Sequence, residues 1–153
     1  LGMCTIHAES VDSAIHRLEA EPMNIPRSLL SMIDLVLVEG RTEIGGKPAR
    51  RALSVTEMVG SDPKTKELLT NDVYRWNAGA DSFSYLGRSY VLERIMKKLG
   101  TTTQEVQAEL QRRKMVLEWM VKNKIRRYID VAGIIREYNA DTIRVYHKAR
   151  VGV

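Results

Sequence analysis

The chain has one cysteine, four prolines and a single phenylalanine among its 153 residues. One thiol, Cys4, excludes an internal disulfide framework and fits a reducing cytosol. No Cys/His cluster has zinc-ligand spacing, so no metal site is expected. No apolar run approaches the roughly 20 residues that a bilayer-spanning helix needs. No basic start precedes a long apolar stretch, so the opening residues do not read as a signal peptide. There is also no Gly-x-x-x-x-Gly-Lys-Ser/Thr loop to cradle phosphates. The one Gly-Gly-Lys, Gly45 to Lys47, runs into Pro48, carries no Ser or Thr for magnesium and does not open a helix. No strand ends in an acidic pair that could hold that metal.

What is present is an uneven charge. Residues 1–87 hold 9 Lys and Arg against 12 Asp and Glu, and residues 88–153 hold 15 against 7. The second part is thus net basic and can face anionic lipid, nucleic acid or an acidic protein. A solvated helical surface explains the same charges. The basic residues are spread along several helices with few aromatics between them for base stacking, which argues against nucleic acid.

Patterning divides the chain near Gly87. Ser10 is a fit N-cap for a helix to about Ala20, with Val11, Ala14, Ile15 and Leu18 on one face. The helix stops before Glu21-Pro22, since the residue ahead of proline avoids helical angles. Pro26 fits the first position of a short helix to Met32. Ile33 to Thr42, apolar and rich in branched residues, reads as a buried strand. Gly45-Gly46 supplies a hairpin turn, and Arg50 to Val59 returns as the partner strand. Asp72 to Trp76 and Asp81 to Tyr85 read as a second hairpin, with Trp76, Phe83 and Tyr85 filling the core of a small sheet. From Ser89 the period is helical: Tyr90 to Leu99 ending at Gly100, a helix of roughly twenty residues capped by Thr102 or Thr103, then Val131 to Tyr138 behind an Asp130 cap, and Ala140 to Ala149.

The opening stretch, Gly2 to Ser10, reads as a short strand packed through Met3, Cys4 and Ile6, with Thr5 and His7 near its carboxyl end. In an open α/β sheet ligands gather at that edge. On its own pattern a lone His there reads first as a structural residue bonded to a nearby backbone carbonyl. Arg41, Arg50 and Arg51 gather across the first hairpin. They suit an anion site or intersubunit contact, or else charges that protect an exposed edge. Arg27, at the start of its short helix, is a surface charge on its own pattern.

Gly2-x-x-Thr5-x-His7-Ala8 followed by Ala14-x-x-Arg17-Leu18 resembles the His box of the type II/IV secretion ATPases, hexameric motors of secretion, pilus assembly and the archaeal swimming filament. Glu21 to Arg27, Ile33 to Val38, Arg50-Arg51 ahead of Val55-Thr56-Glu57-Met58, and Glu109-x-x-x-Arg113-x-x-x-Leu117-x-Trp119-Met120 resemble successive later segments of that family, the last of them its archaeal members.

The resemblance implies an α/β fold: residues 1–87 as the carboxyl-terminal end of a RecA-like P-loop ATPase core, built of strands and hairpins, and residues 88–153 as a small helical region. It implies that His7 approaches the γ-phosphate with Thr5 in support, and that Arg27, Arg50 and Arg51 lie at an intersubunit or anion contact. ATP and magnesium would be bound mainly by upstream residues absent from this chain, which on its own is expected to be inactive. The implied partners are identical subunits in a hexamer and a membrane platform protein. The implied place is the cytoplasm, peripheral to the cytoplasmic membrane. Two other classes compete: a basic helical nucleic-acid-binding module, and a non-catalytic assembly domain that docks on a membrane platform.

Overall fold

The computed structural model describes residues 2–152. The fold is mixed α/β. In chain order it has α1 (Val11–Glu19), α2 (Arg27–Leu30), β1 (Leu35–Ile44), β2 (Lys47–Ser61), β3 (Leu68–Asn77), β4 (Ser82–Tyr85), α3 (Tyr90–Leu99), α4 (Thr103–Lys122), α5 (Tyr128–Ala140) and α6 (Thr142–Val151). The chain forms two compact units that divide between Arg94 and Ile95, inside α3 and seven residues beyond Gly87.

In the first unit the four strands form one antiparallel meander in the order β1-β2-β3-β4. Its first turn is the Gly45-Gly46 pair, with φ of 55° and 74°. Ile44 faces Lys47 directly across it, the tight two-residue geometry in which glycine carries no Cβ penalty. The register slips between Val38 and Glu39. Past that bulge Leu53 lies so close over Gly40 that a Cβ there would meet Leu53 Cδ1 at 2.5 Å.

Two sequence expectations are corrected here. Ile33 to Thr42 is not a buried strand: β1 is an edge strand whose residues alternate between exposed and half-buried. An antiparallel meander buries one face at most, so the apolar run does not imply burial on both. Met3 to His7 is not a strand either. It takes no regular structure, Met3 is 92% exposed, and Cys4 is exposed rather than packed. A strand needs a neighbour to take its backbone groups, and among the described residues this segment pairs with none.

The second unit is helical. Val116, Trp119, Met120, Tyr138, Val145 and Ala149 form its core, with Ile125, Val131 and Ile134 packed against it. Thr102 and Glu105 make a reciprocal capping box that starts α4, satisfying two of the amides a helix start leaves open. α5 begins three residues before the expected Val131. Arg127 stands at its cap and Asp130 lies in its first turn, where a carboxylate complements the positive end of the helix dipole. Asp141 caps α6 by accepting from the Arg144 amide at 3.0 Å. Inside the unit, Glu109 accepts from Arg112 Nε at 3.0 Å, Arg113 Nε at 2.8 Å and Tyr138 Oη at 3.1 Å. Partial burial pushes its carboxyl up, but these three donors outweigh it and hold it below the ordinary carboxylate range.

Candidate functional site

His7 and Thr5 are both exposed in the segment that leads into α1. The segment is unstructured by hydrogen-bond pattern but it is tethered. Arg17, one and a half turns along α1, donates from Nη1 to the His7 carbonyl at 2.8 Å. Ser10 and Ser13 cap the helix reciprocally: Ser13 N donates to Ser10 Oγ at 3.1 Å and Ser10 N to Ser13 Oγ at 2.9 Å. The backbone of His7 is therefore fixed relative to the helix start, while its imidazole is exposed to solvent. Such a group can donate to an incoming oxyanion. His16 and His147 are also exposed, and the His147 ring meets the edge of Tyr146 at 5.9 Å.

The three site arginines part company. Arg27 forms a two-pronged pair with Glu19, its Nη2 lying 3.2 Å from Oε2, and so ties α2 to the end of α1. Arg51 grips Asp81 with Nε at 2.8 Å and Nη2 at 2.7 Å. Trp76 Nε1 donates to the same carboxylate at 2.9 Å. Arg51 first, then the indole, holds the Asp81 carboxyl down at about 2. Arg51 is thus committed to closing the β3–β4 turn against β2. Arg50 is exposed and stands opposite Arg41 in register. Like charges face to face repel, and a bound anion would relieve that repulsion. Trp76 is half-buried, but Phe83 is 53% exposed and Tyr85 is 45% exposed, its ring 5.2 Å from that of Tyr74. These two do not fill a core, because β4 is a four-residue edge strand exposed throughout.

Sequence reasoning missed Glu57. It sits in the middle of β2 and is only 1% exposed. Its carboxylate receives the amides of Tyr90 at 2.7 Å and Val91 at 3.1 Å, the Ser89 hydroxyl, and Asn71 Nδ2 at 3.2 Å. Ser89 Oγ in turn accepts from the Leu92 amide at 3.1 Å. A buried carboxylate thereby seals the start of α3, where free amides and the helix dipole favour negative charge. Beside it Thr56, 2% exposed, donates to Asp72 at 2.6 Å. The signal was an acid inside an apolar strand, Val55-Thr56-Glu57-Met58, and its partners at the start of α3 lay more than thirty residues downstream.

No group of three or more His, Cys, Asp or Glu residues that could hold a metal occurs among the described residues. The residues present can offer a phosphate the His7 and Thr5 donors, but they do not assemble a metal cage.

No protein-family model matches the chain. It is similar to three uncharacterized proteins of Methanocaldococcus jannaschii. MJ1287 is 40% identical over 124 residues, which are 81% of this chain and 46% of that protein. MJ0781 is 31% identical over 146 residues, 95% of this chain and 20% of its relative. MJ0900 is 31% identical over 137 residues, 87% of this chain and 25% of its relative. The chain spans less than half the length of each of these curated relatives.

Proposed function

We propose that the chain is the carboxyl-terminal part of a hexameric motor ATPase that powers protein secretion or the assembly of a type IV pilus-like or archaellum filament. The observation that carries the reading is the tethered, outward-facing His7 ahead of a doubly capped helix. In this reading the antiparallel sheet is the end of a RecA-like core, and residues upstream hold ATP and magnesium. ATP supplies the γ-phosphoryl group whose cleavage drives the motor. Catalysis of this kind is mainly positioning and electrostatics. His7 donates a hydrogen bond to a γ-phosphate oxygen and Thr5 steadies it. When that contact is lost, the Arg17 tether passes the change of the 5–10 segment into α1. The Glu19–Arg27 clasp carries it on to α2. Arg50, faced by Arg41 with no ion pair to either among the described residues, is the better intersubunit or anion contact of the pair, since Arg51 is spent on Asp81. The protein works in the cytoplasm, peripheral to the membrane, against a platform protein. The test is magnesium-dependent ATP turnover by the intact protein, together with its mass with and without nucleotide. Turnover by a six-subunit species supports the reading, and a monomer that turns over no ATP sinks it.

A further inference from the structure

The turn between α4 and α5 joins charge to apolar exposure. Lys122, Lys124, Arg126 and Arg127 lie within six residues of one another. Flanking them, Val121 is 70% exposed, Tyr128 80% and Ile129 52%. The turn is held in place. Ile125 is partly buried against the helical core, and its amide donates to the Met120 carbonyl at 2.9 Å. Asn123 donates from its side chain to the Trp119 carbonyl at 2.9 Å. Lys124 takes the left-handed conformation, with φ of 56°, that reverses the chain. One apolar residue points in, and three flanking ones are presented to solvent.

Behind the turn lies an open groove of about 960 Å³ lined by Lys124, Arg126, Arg127 and Arg136 with Asp130 and Glu137. The two carboxylates are already engaged: Asp130 lies 3.9 Å from Arg127 and Glu137 lies 3.0 Å from Arg144. Lys124, Arg126 and Arg136 have no ion-pair partner among the described residues. Arg112 and Arg113, by contrast, are spent on Glu109.

We propose that this turn and groove are a binding surface for an anionic membrane leaflet, with Tyr128, Ile129 and Val121 entering the headgroup region and the unpaired cations meeting lipid phosphates. Charge alone would fit an acidic protein or a nucleic acid. The three exposed apolar side chains beside the turn would gain nothing from a phosphate backbone. A tyrosine beside aliphatics fits the interface, where its ring is apolar and its hydroxyl wet. Lysine and arginine stems lie along apolar surface while their heads reach phosphate. Basic residues near an anionic leaflet attract it within a Debye length.

This surface lies on the helical unit and does not depend on the nucleotide reading. The test therefore uses the intact protein without nucleotide, sedimented with vesicles of phosphatidylcholine alone or mixed with phosphatidylglycerol. Binding is expected on the mixed vesicles only, falling with salt. Arg126→Glu with Arg136→Glu should weaken it by at least about tenfold, given the worth of each basic residue near a charged leaflet. Tyr128→Ser with Ile129→Ser should also weaken it severalfold, and a Tyr128→Trp protein should shift its emission to the blue on the mixed vesicles. All four positions are exposed, so the variants are expected to keep the wild-type melting temperature, which is checked. Equal binding to neutral vesicles, or an unchanged affinity after charge reversal, overturns the proposal. Loss on charge reversal with no effect of the serine variant and no blue shift also overturns it, and assigns the surface to an acidic macromolecule instead.

Discussion

Glu57→Gln tests how the start of α3 is fixed to the sheet. The carboxylate uses both oxygens: Oε1 takes the Ser89 hydroxyl and the Val91 amide, and Oε2 takes the Tyr90 amide and Asn71 Nδ2. Glutamine keeps the shape but offers one oxygen. Whichever way its amide turns, two donors lose their acceptor and face an NH₂ group. A buried donor left without a partner costs about 1–3 kcal/mol. The two share one site, so their losses do not simply add. The expected destabilisation is about 2–4 kcal/mol, at the high end for a single substitution. Urea unfolding of the chain followed by circular dichroism reads it directly. Native-state hydrogen exchange should show the Tyr90 and Val91 amides opening faster than those of α4. Glu118→Gln is the control, since its carboxylate is exposed and only 3.8 Å from Lys114. That change should stay within about 0.5 kcal/mol. If Glu57→Gln also stays within that margin, the carboxylate does not secure the start of α3, and the account of how α3 is fixed to the sheet is wrong.

The Arg51–Asp81 clamp should respond to acid. The folded carboxyl lies at about 2, below its ordinary 3.8. A depressed carboxyl contributes stability that is fully present above the unfolded value and lost as pH falls through the folded one. The Trp76 signal should therefore hold from neutrality to about pH 4 and change towards pH 2, and Asp81→Asn should abolish that transition; a change already complete at pH 4 would refute it. Trp119→Ala, deep in the helical core at 7% exposure, should cost about 3–5 kcal/mol in urea unfolding, whereas a loss under 1 kcal/mol would mean the core is not centred there. The 153-residue chain alone should neither hydrolyse nor tightly bind ATP, because a phosphate-cradling loop is missing from its sequence; measurable magnesium-dependent turnover by the purified chain would contradict this.

Local signals were legible in the sequence. Ser10, and the Thr102-Thr103 pair of which Thr102 is the cap, announced helix starts because capping chemistry acts within four residues. Gly100, with φ of 66°, ended α3, and Gly45-Gly46 set the hairpin because only glycine adopts both its dihedrals without strain. Non-local features were not legible. Nothing in Met3 to His7 reveals whether a neighbouring strand exists, and apolar residues alone do not make one. Leu35 and Leu37 look like core by composition, yet the meander leaves them at 50% and 54% exposure on its edge. The α5 start was misplaced because Asp130 suits both a cap and a first turn. At the candidate site, His7 and Arg50 are exposed, whereas Arg51 and Arg27 are paired with acids at distances no spacing rule encodes. Glu57 was hidden for the same reason: its donors come from Asn71 on β3 and from the segment that opens α3.

The most direct measurement of the central claim compares wild type and His7→Ala in the intact protein, recording ATP turnover and nucleotide affinity side by side. A donor that matters chiefly as charge shifts onto the γ-phosphate is worth about 3 kcal/mol in the transition state. The account predicts turnover reduced a hundredfold or more, with affinity changed only a few-fold and the fold intact by circular dichroism. Wild-type turnover in the His7→Ala protein would contradict it and leave His7 as an exposed residue without a role in nucleotide chemistry.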